Sequence, residues 1–424
     1  MPDMVSEARP ASVGPHHVRT TCRVCGSDKF KEVLDLGVQP LANALLRGPG
    51  DFASERSFPL GLHVCRECGL VQLLDVIDPS VLFADYPYVT GTSETIAAHN
   101  RKYADELISM LGLGREHLVV EAASNDGSLL ACFRNADVRV IGVEPAENIA
   151  ALARSNGVPT ESVFFSQREA VRLRDAHGPA TSVIGNNVLA HVDDPVDFLT
   201  GMASLLTPDG LAVVEVPYLG DMLDALAYDT VYHEHLSYFS ISALLRLCTA
   251  AGLRAVRIDR VMVHGGSLRL YAATDAGQGH DPEVVRMARG ERLEGSVLGA
   301  RLEEFAVRVR AHRESFRGLI EGLVNEGQSV AGYGAPAKCS TLLNFCGIGS
   351  DILPWTVDLN PLKVGRLLPG MHIPVLPVET VLERQPDYLV ILPWNFLDEI
   401  MRQQQEYGRR GGRFILPIPE PRIV

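Results

Sequence analysis

Two hydrophobic rhythms alternate along this chain: unbroken apolar runs of strand length, and stretches where apolar residues recur every three or four positions. Residues 117–133, "HLVVEAASNDGSLLACF", hold both. An apolar run is followed by a turn of small residues, and a helical pattern opens at Gly127–Ser128. A run without polar alternation predicts a strand covered on both faces, as in parallel sheets. "VRVIGVEPAENIA" gives a second such strand, ending at Glu144, and "TSVIGNNVLAHVDDP" and "GLAVVEVPYL" give two more. A helix is predicted over 97–113, ahead of the first strand. Strands alternating with helices predict βαβ units and a parallel sheet.

The rhythm then changes. After a predicted helix at 241–252, "LRAVRIDRVMVHGGSLRLYAAT" alternates with period two around Gly265–Gly266. That pattern predicts an antiparallel hairpin closing the sheet. Residues 283–326 are charged, with leucine and valine at helical intervals, and predict one or two long connecting helices. A second α/β stretch follows: "QSVAGYGAPAKCSTLLNF" as strand, glycine turn and helix, a strand and irregular loop in "DILPWTVDLNPLKVGRLLPGMHIPVLP", and further strands in "PDYLVILPWNFLDEI" and "GRFILPIP". The expected fold class is α/β, with a short Rossmann-like domain at the C-terminal end.

The 424 residues are enough for two or three domains, and 46% hydrophobic residues is an ordinary globular value. A net charge of −13 argues against a nucleic-acid partner and against an anionic membrane surface. No apolar run reaches the roughly 18–20 residues of a membrane span. The first 19 residues lack a basic-then-apolar export pattern and are expected to be a disordered lead-in, which places the chain in the cytoplasm. A monomer or weak homo-oligomer is expected.

Four of the eight cysteines form two C-x-x-C pairs, Cys22/Cys25 and Cys65/Cys68, each closed by a glycine. Such knuckles aim two thiolates at one point, and two knuckles complete a tetrahedral sulfur set for a structural zinc ion. The separation of the pairs predicts a small zinc-pinned subdomain rather than a compact finger. Cys132, Cys248, Cys339 and Cys346 stand among apolar neighbours as small hydrophobes.

The turn "EAASNDG" at 121–127 allows close approach to the backbone, and Glu144 at the end of the next strand is placed to accept from ribose hydroxyls. There is no G-x-G-x-x-G, so a pyrophosphate is not expected here and NAD is disfavoured. An acidic turn prefers a cationic nucleoside cofactor, and S-adenosylmethionine answers to that description.

In "VYHEHLSYFS", at 231–240, His233 and His235 are two apart, the wrong spacing for a metal on one helix. Extended backbone would put both histidines on one face and Glu234 on the other. Acid/base work suits the stretch better, with Tyr232 as a donor to a developing oxyanion. The turn at 332–338, "GYGAPAK", with Lys338 and with Lys363 and Arg366 beyond Asp358, points to a phosphate-bearing ligand.

In this order, the two cysteine pairs, "EAASNDG", "GVEP", "NNVLAHVDDP", "VYHEHLSYFS", "HGGSLR", "GYGAPAKCSTLLN" and "VDLNPLKVGRLLPG" resemble the S-adenosylmethionine-dependent sugar C-methyltransferases of antibiotic deoxysugar biosynthesis. The resemblance runs from about residue 20 to the end. It implies a zinc-binding domain at 20–80, a class I methyltransferase domain at 81–282, and a connector with a nucleotide-sugar-binding Rossmann-like domain at 283–424. It further implies zinc on Cys22, Cys25, Cys65 and Cys68. S-adenosylmethionine is implied to lie on Glu121, Ala123, Asn125, Gly127, Glu144 and Asn187. Tyr86, His191, Tyr232, Glu234 and His235 are implied to face the sugar. Removing a proton beside a ketone needs a base, and His235 suits that role with Glu234 tuning it. Tyr333, Lys338, Asp358 and Lys363 are implied to contact the nucleotide. The implied acceptor is a dTDP-linked 4-keto-deoxysugar, methylated on a ring carbon beside the ketone, at C3 in first place and C5 in second. The competing readings are an O- or N-methyltransferase on a nucleotide sugar and a non-catalytic zinc-containing nucleotide sensor.

Overall fold

The computed structural model describes residues 15–83, 94–261, 265–274, 276–293 and 295–424. The lead-in expected at 1–19 overlaps ordered chain. Residues 1–14 lie outside the described part, but β1 (His16–Val18) pairs antiparallel with β5 (Asp75–Ile77), and His16 bonds Asp75 at 2.8 Å.

The zinc-binding region is built on β2 (Phe30–Pro40), β3 (Ser57–Cys65) and β4 (Val71–Leu73), an antiparallel meander. Its knuckles are tight turns, with Gly26 N–H donating to Cys22 O at 3.0 Å and Gly69 N–H to Cys65 O at 2.9 Å. Both glycines have positive φ, which a side chain would strain.

The central sheet has seven strands. β6 (Leu118–Ala122), β7 (Arg139–Val143), β8 (Thr160–Glu161), β9 (Ala180–Asn186) and β10 (Leu206–Pro217) run parallel. β11 (Ser237–Tyr238) leaves this sheet and joins the meander instead, pairing Ser237 with Gln72 and Tyr238 with Val71 on β4. β12 (Arg254–Val261) and β13 (Ser267–Ala273) form the predicted hairpin. β13 lies antiparallel beside β10, giving the order β12-β13-β10-β9-β6-β7-β8. The order reverses at β6, and the crevice at the carboxyl ends of β6, β7 and β9 is where ligands bind in such sheets.

The second α/β unit is a six-stranded sheet in the order β16-β15-β14-β17-β18-β19: β14 (Val330–Tyr333), β15 (Thr356–Asp358), β16 (Val375–Pro377), β17 (Tyr388–Ile391), β18 (Arg413–Leu416) and β19 (Arg422–Ile423). All pairs are parallel except the last. The long helix Gly295–Asn325 buries Leu298, Leu302, Phe305, Val309, Phe316 and Ile320, a stripe with helical spacing. His312 on this helix stitches two units together. It accepts from the Tyr228 hydroxyl at 3.0 Å and donates to the Pro417 carbonyl at 2.7 Å. Among the described residues no helix is long and apolar enough to cross a membrane.

Candidate active site

The four cysteines meet as their knuckles predict. Cys22 Sγ lies 3.5 Å from Cys68 Sγ, Cys25 Sγ lies 3.6 Å from Cys65 Sγ, and all four sulfurs fall within 4.8 Å of one another. A zinc–sulfur bond of about 2.3 Å gives a tetrahedral edge of about 3.8 Å, so this set fits zinc without a free position.

The turn expected to hold the cofactor, residues 121–127, follows β6. Ala123 and Asn125 both take positive φ, and Asn187, just past β9, does the same. Non-glycine residues in that region cluster at functional turns. Gly127 admits no Cβ, which would fall 2.9 Å from Val158, so the helix Ser128–Asn135 starts hard against its neighbour. Glu144 accepts from Asn125 N–H at 3.0 Å and from Ala146 N–H at 2.9 Å, which aims its carboxylate into the crevice. Three buried acceptors here have no hydrogen-bond partner among the described residues: Glu121 Oε2, Ser124 Oγ and Asn186 Oδ1. Burial, then the charges of Asp126 and Glu144, hold the Glu121 carboxyl well above the usual range; burial also raises Glu144. Acids that resist ionising together are relieved by a bound cation. The donor set therefore fits S-adenosylmethionine, with its sulfonium and its ribose hydroxyls.

Residues 231–236 form a turn rather than extended backbone, and the two histidines part company. His233 is buried and donates from Nε2 to the Pro59 carbonyl at 3.1 Å, so its place is structural. His235 donates from Nδ1 to the Thr230 carbonyl at 2.8 Å. A carbonyl only accepts, so in the neutral ring Nε2 carries the lone pair, and the Tyr232 hydroxyl stands 2.8 Å from it. His191 meets His235 edge-on, with ring centroids 4.8 Å apart. Burial and that neighbour hold His191 well below the usual histidine range, so it is neutral.

Glu234 does not serve His235 as expected. It is 3% exposed and turned to the zinc-binding region, where Asn43 Nδ2 donates to Oε1 at 2.7 Å. Burial raises its carboxyl to about 7, against the Asn43 bond and the positive charge of Lys363. Tyr86 lies outside the described residues.

The C-terminal candidates separate. Tyr333 is not a ligand of the turn: it is 3% exposed, in the core beneath β14, with its hydroxyl donating to Gln403 at 3.3 Å. Its strand position alternates inward, which the glycine-rich sequence around it hides. Asp358 accepts from Ala335 N–H at 2.7 Å and Lys363 donates to Ala335 O at 2.8 Å, so both brace the turn. Lys338 donates to Asn395 and lies 4.2 Å from the Trp394 ring centroid.

A small cavity of about 30 Å³ is bordered by Thr230, His235 and Tyr238 together with Ala190, Met222 and Trp394. Sequence reasoning missed Trp394, which contacts this cavity from the other α/β unit. It also missed Asn43, whose partner lies far away in the chain.

A zinc-bearing unit, a sheet closed by an antiparallel hairpin with an acid-rich cofactor turn, and a second α/β unit together define a three-part S-adenosylmethionine-dependent methyltransferase. The chain belongs to the C-methyltransferase family: it is 42% identical over 405 residues to C-methyltransferase NovU of Streptomyces niveus, a match covering 95% of this chain and 96% of that relative. Family models agree along the chain, with a zinc binding domain at 22–83, a methyltransferase domain at 96–258 and a C-methyltransferase C-terminal domain at 262–419. The protein is thus an enzyme that methylates carbon from S-adenosylmethionine and carries zinc, which removes the O- or N-methylating and the non-catalytic readings.

Two solved structures resemble part of the chain. One is magnesium protoporphyrin IX methyltransferase from Synechocystis with bound SAM, at 16% identity over 42% of this chain and 81% of that one, TM-score 0.32. The other is 1,6-didemethyltoxoflavin-N1-methyltransferase from Burkholderia thailandensis, at 23% identity over 44% and 80%, TM-score 0.33.

Proposed function

We propose that the enzyme methylates a ring carbon beside the ketone of a dTDP-linked 4-keto-deoxysugar, at C3 ahead of C5, through an enolate generated by His235. The observation that carries this reading is the fixed tautomer of His235. With Nδ1–H committed to the Thr230 carbonyl, the basic nitrogen is Nε2, held at the cavity under the Tyr232 hydroxyl.

A C–H beside a carbonyl is weakly acidic, so its removal requires a positioned base together with donors on the carbonyl oxygen. Tyr232 gives up its bond to Nε2 and turns its hydroxyl to the sugar oxygen. Nε2 then takes the proton, and the electron pair of the C–H bond passes into the enolate. Neutral His191, beside His235, is a second donor to that oxygen. Glu121, Ala123, Asn125, Gly127, Glu144 and Asn187 hold the cofactor in the crevice of the central sheet. When bound, S-adenosylmethionine supplies a methyl group on a positively charged sulfur, the electrophile for the enolate carbon. The thymidine diphosphate is assigned to the turn at 332–338, which Asp358 and Lys363 keep in shape.

Incubation of the enzyme with S-adenosylmethionine and a dTDP-4-keto-deoxysugar tests this reading. The carbon-13 shift of the new methyl reports the atom it joins. In D₂O, with the demethylated cofactor, deuterium is expected at the same carbon. Fast methylation with no exchange under any condition would remove the discrete enolate.

A further inference from the structure

The chemistry above leaves unused a buried carboxyl one residue before the Thr230 carbonyl. Asp229, in the single helical turn Tyr228–Thr230, is 0% exposed. Its Oδ2 accepts from the Trp394 indole N–H at 2.7 Å. Lys338 stands over the same indole, with Nζ 4.2 Å from the ring centroid. Burial raises the Asp229 carboxyl, against the charge of Lys338 and the indole bond. Asp229 comes from the methyltransferase unit; Trp394 and Lys338 come from the C-terminal unit.

One helix of the C-terminal unit lies along this turn. Ala337–Cys346 begins just past the glycine turn and carries Lys338, Thr341 and Phe345 at intervals of three and four, which is one helix face. Thr341 Oγ1 donates to the Val231 carbonyl at 2.7 Å. Phe345 meets Tyr228 edge-on, with ring centroids 5.5 Å apart. The Tyr228 hydroxyl lies 3.0 Å from His312 Nδ1 and 3.4 Å from Cys346 Sγ. Gly334 lets the loop bearing Trp394 come in: it has φ +89, and a Cβ there would fall 2.5 Å from Pro393 Cδ.

These anchors bracket a single peptide. The Thr230 carbonyl takes the Nδ1–H of His235 at 2.8 Å, with the Tyr238 hydroxyl adding a longer bond at 3.5 Å. It belongs to the planar unit that joins Thr230 to Val231. Trp394 holds Asp229 on one side of that unit, and Thr341 holds Val231 on the other. Turning the carbonyl away would break a buried hydrogen bond on one flank, and a buried group left without its partner is costly. The carbonyl therefore keeps its direction, and the hydrogen bond it accepts decides which ring nitrogen carries the proton.

We propose that Asp229 and Thr341 are positioning residues for methyl transfer: they lock the Thr230–Val231 peptide from both sides, and through it the tautomer of His235. This rests on the reading of His235 as the base given above.

Nitrogen-15 shifts separate a ring N–H from a ring nitrogen bearing a lone pair, so enzyme labelled at histidine reports the tautomer directly. The signals missing from His235→Asn are those of His235. With the demethylated cofactor bound, the wild type is expected to show Nδ1–H at His235. Asp229→Asn and Thr341→Val are expected to give a mixture in which part of the molecules carry Nε2–H. Turnover of dTDP-4-keto-6-deoxyglucose is expected to fall roughly 10-fold or more in kcat in both, with S-adenosylmethionine affinity unchanged. Thr341→Ser keeps the hydroxyl and is expected to restore the wild-type tautomer, which a mere packing role for Thr341 would not do. Trp394→Phe removes the indole N–H and repeats the test on the Asp229 flank should Asp229→Asn fail to fold.

A pure Nδ1–H tautomer in a folded Thr341→Val, Asp229→Asn or Trp394→Phe overturns the proposal and leaves His235 standing as base. A mixed tautomer with full turnover removes His235 as base, and this inference with it. Wild-type enzyme carrying Nε2–H at His235 overturns both without any variant. Wild-type enzyme that leaves the sugar untouched counts against the substrate reading alone, because the tautomer is read with no acceptor present.

Discussion

Tyr232 and His235 stand three residues apart on one turn, with the phenol oxygen 2.8 Å from the imidazole Nε2. The carbonyl of Thr230 fixes the other ring nitrogen as N–H, so the lone pair and the hydroxyl face each other. A base and its companion donor are thus set before any ligand arrives. His235→Asn is expected to cost about 10³-fold in methylation, and Tyr232→Phe about 10²-fold. Calorimetry should find S-adenosylmethionine affinity intact in both. Near-normal turnover of His235→Asn would strip it of the role of base.

Glu234 gives a pH signature. Its carboxyl is raised from 4.5 to about 7, so the folded protein keeps the proton after the unfolded chain has lost it. Stability therefore falls as pH rises from about 4.5 to about 7 and is level above that, a difference of about 3 kcal/mol. Glu234→Gln keeps an acceptor for Asn43 and removes this slope. Its stability relative to wild type, from denaturant titration, is expected to be near zero at pH 5 and positive at pH 8. An advantage of equal size at both values would mean that Glu234 ionises freely.

The acid-rich cofactor turn predicts proton release. Glu121 and Glu144 are both held above the usual carboxylate range, so a share of the free enzyme carries the proton. Binding a cation favours the ionised form and expels it. Affinity for S-adenosylmethionine is expected to rise with pH, and the calorimetric heat to vary with the ionisation heat of the buffer. Glu144→Gln should weaken binding roughly tenfold by lowering the negative charge at the crevice. Heats that ignore the buffer would leave the acids ionised throughout.

Zinc should matter to the acceptor more than to the cofactor. β4 lies between β3 and β11, and Leu73 N–H donates to Leu236 O at 3.0 Å, one residue past His235. Arg23, next to Cys22, reaches Asp193 at 3.2 Å, two residues past His191. Plasma emission spectrometry is expected to find about one zinc per chain. Chelated enzyme should lose acceptor turnover about tenfold or more while holding S-adenosylmethionine within about threefold. Equal losses on both ligands would mean a general collapse.

The periodic parts of this fold could be read from the chain because their causes are local. The run "LVVEA" is buried on both faces, and it is β6; the period-two stretch after Leu253 is the β12–β13 hairpin. The cysteine knuckles carry their chemistry in their spacing. What escaped was set by distance. Asn43 meets Glu234 across 191 positions of sequence, and Trp394 meets Asp229 across 165. Neither local pattern nor propensity records such pairs. Tyr333 failed for a different reason, since a glycine-rich turn and a buried strand end overlap in "VAGYG", and the strand claims the tyrosine. His233 and His235 diverge because the backbone between them is a tight turn, closed by His235 N–H on Tyr232 O at 2.8 Å.

The segment from Val231 to Leu236 is fastened from three directions. Thr341 caps the Val231 carbonyl at 2.7 Å from the C-terminal unit, Pro59 and Asn43 hold His233 and Glu234 from the cysteine-bearing unit, and Ala190 takes Leu236 N–H at 2.7 Å from within the methyltransferase unit. Such a segment is a shared seam, and recombination must respect it. A chimera that imports only the middle portion from a relative would carry a loop cut to foreign neighbours. Swaps aimed at new sugars should therefore transplant the seam together with the matching edges of all three pieces.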